Sequence, residues 1–372
     1  MKLSERQVLS FRARRGHLSG PGAPSLAAAA RAVVGIQAQV EGAAWWSLAM
    51  RTAGRPQAAA VDHEVYSARS LVRTWAQRDT LHLYAAEDWP WVAAADPQWP
   101  FSGRRGASPP EEALAATRAR LERGVITRGD ILDLATAEMI AEMAARVGPE
   151  QAQRYAAGRL VWRLAHLGEV CLGTAVGAEQ GYVARQHWLP ELEFPAHPPL
   201  AAAVELSRRY LAVNGPATVQ DLAHYFGANV SAARQWLAEL QPELIEVDCE
   251  GHGKLVALAV DAYPLGADDS PPPPRLLAGY DTLLMAHADK TWTVPVAAEN
   301  KAIWRASAVV APVVLAGGRV VATWSQKKKA KSLQVVIEPL SGWQSGYREA
   351  LEADAQALAA HHGLALDSIA SS

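Results

Sequence analysis

Apolar residues between positions 198 and 262 change their spacing repeatedly, and each change falls on a turn or capping residue. Leu200, Val204, Tyr210 and Leu211 recur at helical spacing until Gly215-Pro216. Thr218 then offers an N-cap oxygen, with Asp221 three residues on, for a helix through Leu222, Tyr225 and Phe226 to Gly227. Ser231 caps a third helix carrying Trp236, Leu237 and Leu240, which stops at Pro242. The pattern next shortens to a strand, Leu244 to Val247, a turn at Gly251-His252-Gly253 and a second strand, Leu255 to Val260. Three helices followed by a glycine-turned hairpin is the order of a winged helix.

The same order recurs upstream. Residues 110–124 read as a helix, and Thr127 with Asp130 opens a second through Ile131, Leu132 and Leu134. A third spans about 151–167 and ends at Gly168, before strands at 169–172 and 182–184 around Gly177 and Gly181. Nearer the N-terminus, Ser4 caps a helix through Val8, Leu9 and Phe11, Ser25 caps another, and a third carries Trp45, Trp46 and Leu48; Thr80 to Tyr84 supplies a strand. Beyond residue 268 a proline run, Pro271 to Pro274, suits a stiff connector. Short strands follow (276–280, 308–315, 320–324 and 333–337), with a hairpin turn at Gly317-Gly318, and an amphipathic helix through Tyr347, Leu351 and Leu358 closes the pattern. The expected fold class is α+β, mainly α with β-hairpin wings. Three tandem winged helices occupy 1–105, 106–197 and 198–265, a linker 266–275, and a small β-rich, barrel-like region 276–372.

Composition narrows the partners. The 372 residues carry a net charge of −2, so a nucleic-acid surface must come from local clustering. Of eight lysines, Lys327, Lys328, Lys329 and Lys331 fall together, in the expected loop Ser325–Ser332. A solvated hairpin tip is the plain reading of that loop; contact with nucleic acid is favoured, because four cations within five positions repel one another without an anionic partner. Two lone cysteines, Cys171 and Cys249, a charged N-terminus and the lack of a long apolar run lead us to expect a cytoplasmic protein. No cofactor or metal is expected; His361-His362 is a weak candidate for one.

No Walker loop, dinucleotide fingerprint, nucleophile elbow or zinc-protease motif is present. The candidate chemistry lies in Gly35-Ile36-Gln37-Ala38-Gln39. A glycine at that point can end the preceding helix. Extended chain beyond it would aim Gln37 and Gln39 the same way. From the residues alone, capping of a helix end is the stronger reading of the pair.

The run Gly35 to Val40 resembles a motif of the bacterial winged-helix DNA glycosylases. The likeness continues through Arg73-Thr74-Trp75-Ala76-Gln77-Arg78-Asp79-Thr80-Leu81-His82, Leu276 to Asp281 and Gly318 to Trp324. It implies hydrolysis of N7-alkylguanine, unhooking of interstrand crosslinks and self-resistance to a DNA-alkylating natural product. Gln37 and Gln39 would be the catalytic residues and double-stranded DNA carrying the lesion the partner. Other branches of the family have Asp at the position of Gln39. An amide cannot serve as a base. It can orient water and stabilise an oxocarbenium-like sugar, which suffices when alkylation has already made the base a good leaving group. A crosslinked guanine is tethered to the opposite strand, so an open cleft suits it better than a deep pocket.

The clustered lysines are the expected DNA grip. Arg73 and Arg78, near the first wing, are further candidates, though surface salt bridges explain them equally well. The resulting expectation is a monomeric, monofunctional DNA glycosylase. The alternative is a non-catalytic DNA-binding protein, a regulator or a lesion-sequestering factor.

Overall fold

The computed structural model describes residues 1–99 and 108–371. Its balance is mixed α/β, 50% helix and 22% strand, more strand than a mainly helical chain holds. The strands form small sheets of two, three or five members.

The 198–262 pattern is realised most closely. Helices Pro199–Asn214, Val219–Phe226 and Val230–Leu240 precede the hairpin Leu244–Cys249 and Gly253–Leu258. Thr218 and Asp221 form a reciprocal capping box. The third helix is capped by Asn229, not Ser231. Asn229 Oδ1 accepts the Ala232 amide at 2.8 Å and the Ser231 hydroxyl at 2.6 Å. Ser231 already lies inside the first turn.

In 106–197 the expected second helix is only partly formed. Thr127 and Asp130 do bond, at 2.7 Å. What they open is a 3-10 segment, Gly129–Leu134, broken where Ile131 takes φ −127°. Regular helix resumes at Ala137–Val147, capped by Thr136, and is followed by Pro149–His166 and the hairpin Val170–Val176 with Glu179–Ala184.

The N-terminal region differs most from expectation. The Glu5–Arg15 helix is capped by Ser4, but it packs on Pro199–Asn214. Strand Lys2–Leu3 lies parallel to Leu244–Cys249. Buried Arg12 donates to Asn214 O and Pro216 O, at 3.0 and 2.6 Å. The helix expected through Trp45, Trp46 and Leu48 is Glu41–Arg51, and a further short helix, Ala58–Asp62, continued by a π-helical turn, His63–Ser67, precedes the first hairpin. Its apolar signal is thin: Val61 and Val65 alone are buried. The local order is thus Leu26–Ala32, Ile36–Gln37, Glu41–Arg51, Ala58–Asp62, then Leu71–Trp75 and Leu81–Ala85. Leu81–Ala85 is the central strand, with Ile36–Gln37 antiparallel on one side and Leu71–Trp75 on the other.

The C-terminal region holds an open five-stranded sheet, not a barrel. Its order is Arg275–Leu277, Val313–Ala316, Arg319–Lys328, Ser332–Pro339, Ala365–Ser371. Two expectations change here. The segment 325–328 continues a strand, with Lys327 opposite Gln334, so the turn is shorter than the lysine cluster. The chain also passes beyond helix Glu352–His361 into Ala365–Ser371, which adds a parallel strand to the sheet.

Helix Glu41–Arg51 joins two cores. Trp45 and Leu48 pack with Ile36, Tyr210 and Phe226, whereas Trp46 and Met50 pack with the C-terminal sheet. Trp46 donates its indole N–H to Leu276 O at 2.8 Å. At the end of the helix, Arg51 and Asp281 form a two-pronged ion pair at 2.8 Å, exposed by only 1% and 0%. Ser47 adds a third bond to the Asp281 carboxylate, at 3.1 Å. The Gln37–Gln39 segment therefore leads into a helix whose far end is anchored.

Candidate active site

Leu26–Ala32 ends through Val34 and Gly35, both left-handed at φ +56° and +88°, and Gly35 N closes on Ala30 O at 3.0 Å. Gly35 is needed on two grounds. Its φ is unfavourable for other residues, and a Cβ there would lie 2.3 Å from Tyr84 Cε1. The helix-stop role expected of this glycine is what releases Ile36–Gln37 into a strand.

Gln37 pairs with His82 in the ladder and is buried, 7% exposed. Its Oε1 accepts from Arg78 Nη2 at 3.3 Å. Gln39 lies just past the strand and is exposed. Its Oε1 accepts the Leu81 amide at 3.3 Å, while the Ala38 amide donates to Leu81 O at 2.7 Å. In a continued ladder the Leu81 amide would meet Ala38 O. That carbonyl is taken by Arg73, through Nε at 3.2 Å and Nη2 at 3.0 Å. The side chain of Gln39 thus stands in for the backbone acceptor that Arg73 has withdrawn. A form of the capping role expected from the residues is present, at a strand end. Each amide oxygen keeps a second lone pair.

Neither candidate arginine is free for phosphate. Arg73 is 6% exposed and pairs with Glu41 at 2.6 Å as well as with Ala38 O. Arg78 is partly exposed and bridges Gln37, His82 at 3.2 Å, and the carbonyl of Tyr225. Backbone geometry sets this direction: Arg78 and Asp79 are both left-handed, at φ +58° and +56°. Such conformations cost of order 1–3 kcal/mol and persist only where surrounding contacts enforce them.

Sequence reasoning missed His82 as a site residue, although it lay within the matched motif. It is buried, and its Nδ1 donates to Thr80 O at 3.0 Å, which leaves Nε2 to accept from Arg78. Burial, then the Arg78 charge, push its pKa down to about 3. It is therefore neutral at physiological pH and serves as an acceptor that fixes Arg78. Gln77 was also missed; its Oε1 accepts from Tyr84 and its Nε2 reaches Val34 O at 3.5 Å, beside the Gly35 turn.

The four lysines are all exposed, as a grip requires. Lys329 pairs with Asp367 at 2.8 Å, and Lys328 Nζ lies 3.3 Å from His362 Nδ1. His361 is buried against Pro56 O, and no cluster of three or more metal-ligating side chains occurs among the described residues. No helix among them is long and apolar enough to cross a membrane.

Comparison with known proteins fits this arrangement. A family model described as DNA glycosylase AlkZ-like matches residues 30–361, which include the whole Gln37–His82 arrangement. The chain belongs to the AlkZ-like DNA glycosylase family. It is similar to an interstrand DNA cross-link repair glycosylase of Streptomyces sahachiroi, 30% identical over 340 residues, or 87% of this chain and 88% of that protein. The solved structure of Streptomyces sahachiroi DNA glycosylase AlkZ matches over 100% of both chains, with a TM-score of 0.84 and 27% identity. The winged-helix glycosylase resemblance expected from the motifs is thus the correct family.

Proposed function

We propose that this AlkZ-like protein is a monofunctional glycosylase that releases N7-alkylguanine from duplex DNA, crosslinked guanines included. The three sets of helices, each followed by a hairpin, act as winged-helix modules. Lys327, Lys328, Lys329 and Lys331 hold the phosphate backbone, and Gln37 and Gln39 carry the chemistry. The physiological role is DNA repair and self-resistance to an alkylating natural product, carried out by a cytoplasmic monomer on the nucleoid.

The observation that carries this reading is the anchored glutamine pair. Arg78 and the Leu81 amide occupy one lone pair of each Oε1, at 3.3 Å in both cases, and so fix which way each amide faces. The remaining lone pairs serve the reaction. As the C1′–N9 bond breaks, its electrons pass to the base and neutralise the positive charge that alkylation placed on the ring. Cationic character grows on the sugar, where amide oxygens stabilise it. Water then adds at C1′ and gives up a proton to solvent. No carboxylate base is required, because the leaving group is already activated.

The test is release of 7-methylguanine from duplex DNA under single-turnover conditions. Gln37→Ala with Gln39→Ala should slow release by about 10²–10³-fold, the usual cost of removing an electrostatic stabiliser. Release at the wild-type rate would remove the glutamines from the chemistry. The second reading, lesion binding without cleavage, follows from the exposed lysines. It predicts salt-sensitive duplex affinity with no abasic sites in either protein.

A further inference from the structure

A cleft of about 400 Å³ lies between the start of helix Glu41–Arg51 and the C-terminal sheet. This volume lies within the range of small-molecule sites. The cleft begins at Val40, the residue after Gln39, and runs to Ser325 and Gln326 at the base of the lysine hairpin. Val40 is 50% exposed, an apolar side chain in the open at its mouth.

Two features show that the space is lined for an apolar guest. Trp46 and Trp324 form part of the wall, and both indole N–H groups are spent on backbone, on Leu276 O and Leu277 O at 2.8 Å each. What little of each ring faces the cleft is carbon, since Trp46 is 2% and Trp324 6% exposed. The charged side chains on the wall, Arg305 and Glu338, are of opposite sign, so selection by charge is weak. The second feature is Gly42. Glycine is a weaker helix former than alanine, and Gly42 stands in the first turn of helix Glu41–Arg51. Its φ is not positive, and a Cβ there would meet nothing within 4 Å. Neither backbone conformation nor close packing calls for glycine at 42, and its missing side chain leaves the cleft open.

We propose that this cleft receives the substituent on N7 of the lesion, an apolar or aromatic group, while the guanine itself stays at Gln39. The proposal rests on the glycosylase reading above. N7 lies on the major-groove edge of guanine, away from the sugar. A group attached there projects outward from the base, and the cleft that starts one residue beyond Gln39 is placed to accept it. The same geometry suits a lesion that cannot be swung out of the helix, since only the substituent needs an enclosed site.

The experiment compares two duplexes, one with 7-methylguanine and one with N7-benzylguanine, in single-turnover release by the wild type, Gly42→Ala and Gly42→Leu. Gly42→Leu adds bulk at the opening from a position where a Cβ meets nothing within 4 Å. It should lower benzylguanine release at least tenfold and leave methylguanine release within about twofold of the wild type. Gly42→Ala should fall between the two. Equal loss on both substrates would overturn the proposal, because the cleft would then hold the base itself. No loss on either would overturn it too, by leaving the substituent outside. A wild type that releases neither base would overturn the glycosylase reading instead, and the cleft proposal with it.

Discussion

The arginines near the glutamines and the lysines of the hairpin are alike in charge and opposite in use. Arg73 and Arg78 turn inward and spend their donors on Ala38 O, Glu41, Gln37, His82 and Tyr225 O. Lys327 and Lys328 end strand Arg319–Lys328, Lys329 and Lys331 lie in the turn that follows, and all four are exposed. A guanidinium has five donors in a fixed fork, which suits it to gather several acceptors at once. An ammonium on a flexible stem finds no such set at a ribbon tip. Proximity of a cation to a functional strand is thus poor evidence for a phosphate contact. What decides is whether backbone and side-chain oxygens lie within its reach.

The inner set should act through stability and positioning. The largest effect is expected at Asp281, which pairs with buried Arg51. Asp281→Ala leaves that guanidinium unpaired in the core and should cost about 3–5 kcal/mol, read as a shift in urea unfolding. A loss below about 1 kcal/mol would mean that Arg51 finds other partners and that the helix anchor is dispensable. Arg78→Ala comes next. Freeing Gln37 from its donor should lower 7-methylguanine release by on the order of 10²-fold, the scale of a small misplacement at a reacting centre. The salt dependence of duplex binding should not move. A slope lowered by about 0.9 would instead place Arg78 on a phosphate.

How legible these roles were depended on the range of the interaction. Gly35 and its strand-releasing turn were readable, because a helix stop is local. The 198–262 helices were readable for the same reason, with strong apolar landmarks such as Trp236 and Phe226. The Ala58–Asp62 helix was not, since alanine fits any element and only Val61 marks its buried face. Strand Ala365–Ser371 pairs with a partner more than 30 positions earlier, which no local pattern reveals. The inward turn of Arg73 depends on withdrawing the carbonyl of Ala38, 35 positions away. Long-range hydrogen bonds of this kind are set by the assembled sheet.

His82 offers a test of the inner network of about 2 kcal/mol. Its pKa is near 3 in the folded chain, below the ordinary value of 6.5. Between those values the unfolded chain binds a proton that the folded chain does not. The stability that depends on neutral His82 is therefore complete above about pH 6.5 and falls as pH drops toward 3. At pH 5 the loss from this residue should be about 2 kcal/mol. His82→Gln removes the titrating group. Its unfolding free energy should depend less on pH than the wild type's between pH 7 and 5, by that amount. Identical pH dependence in both proteins would show that His82 takes up its proton in the fold as readily as in the unfolded chain, and so does not depend on accepting from Arg78.

The smallest effects distinguish lysines within the outer set. If each meets one phosphate, single replacement by alanine lowers the salt slope by about 0.9. Lys329 should fall short of that. Its charge is already paired with Asp367 in the free protein, at 2.8 Å, so fewer counterions are exchanged when DNA arrives. The pair itself is exposed and worth roughly 0–1 kcal/mol, too little to keep a phosphate away. Asp367→Asn should accordingly strengthen duplex binding a few-fold at low salt and raise the slope, and Lys329→Ala should cancel that gain. Equal slopes for Lys327→Ala and Lys329→Ala would mean that the hairpin attracts DNA by its summed charge rather than by individual phosphate contacts, and no effect of Asp367→Asn would mean that the pair with Lys329 does not compete with DNA.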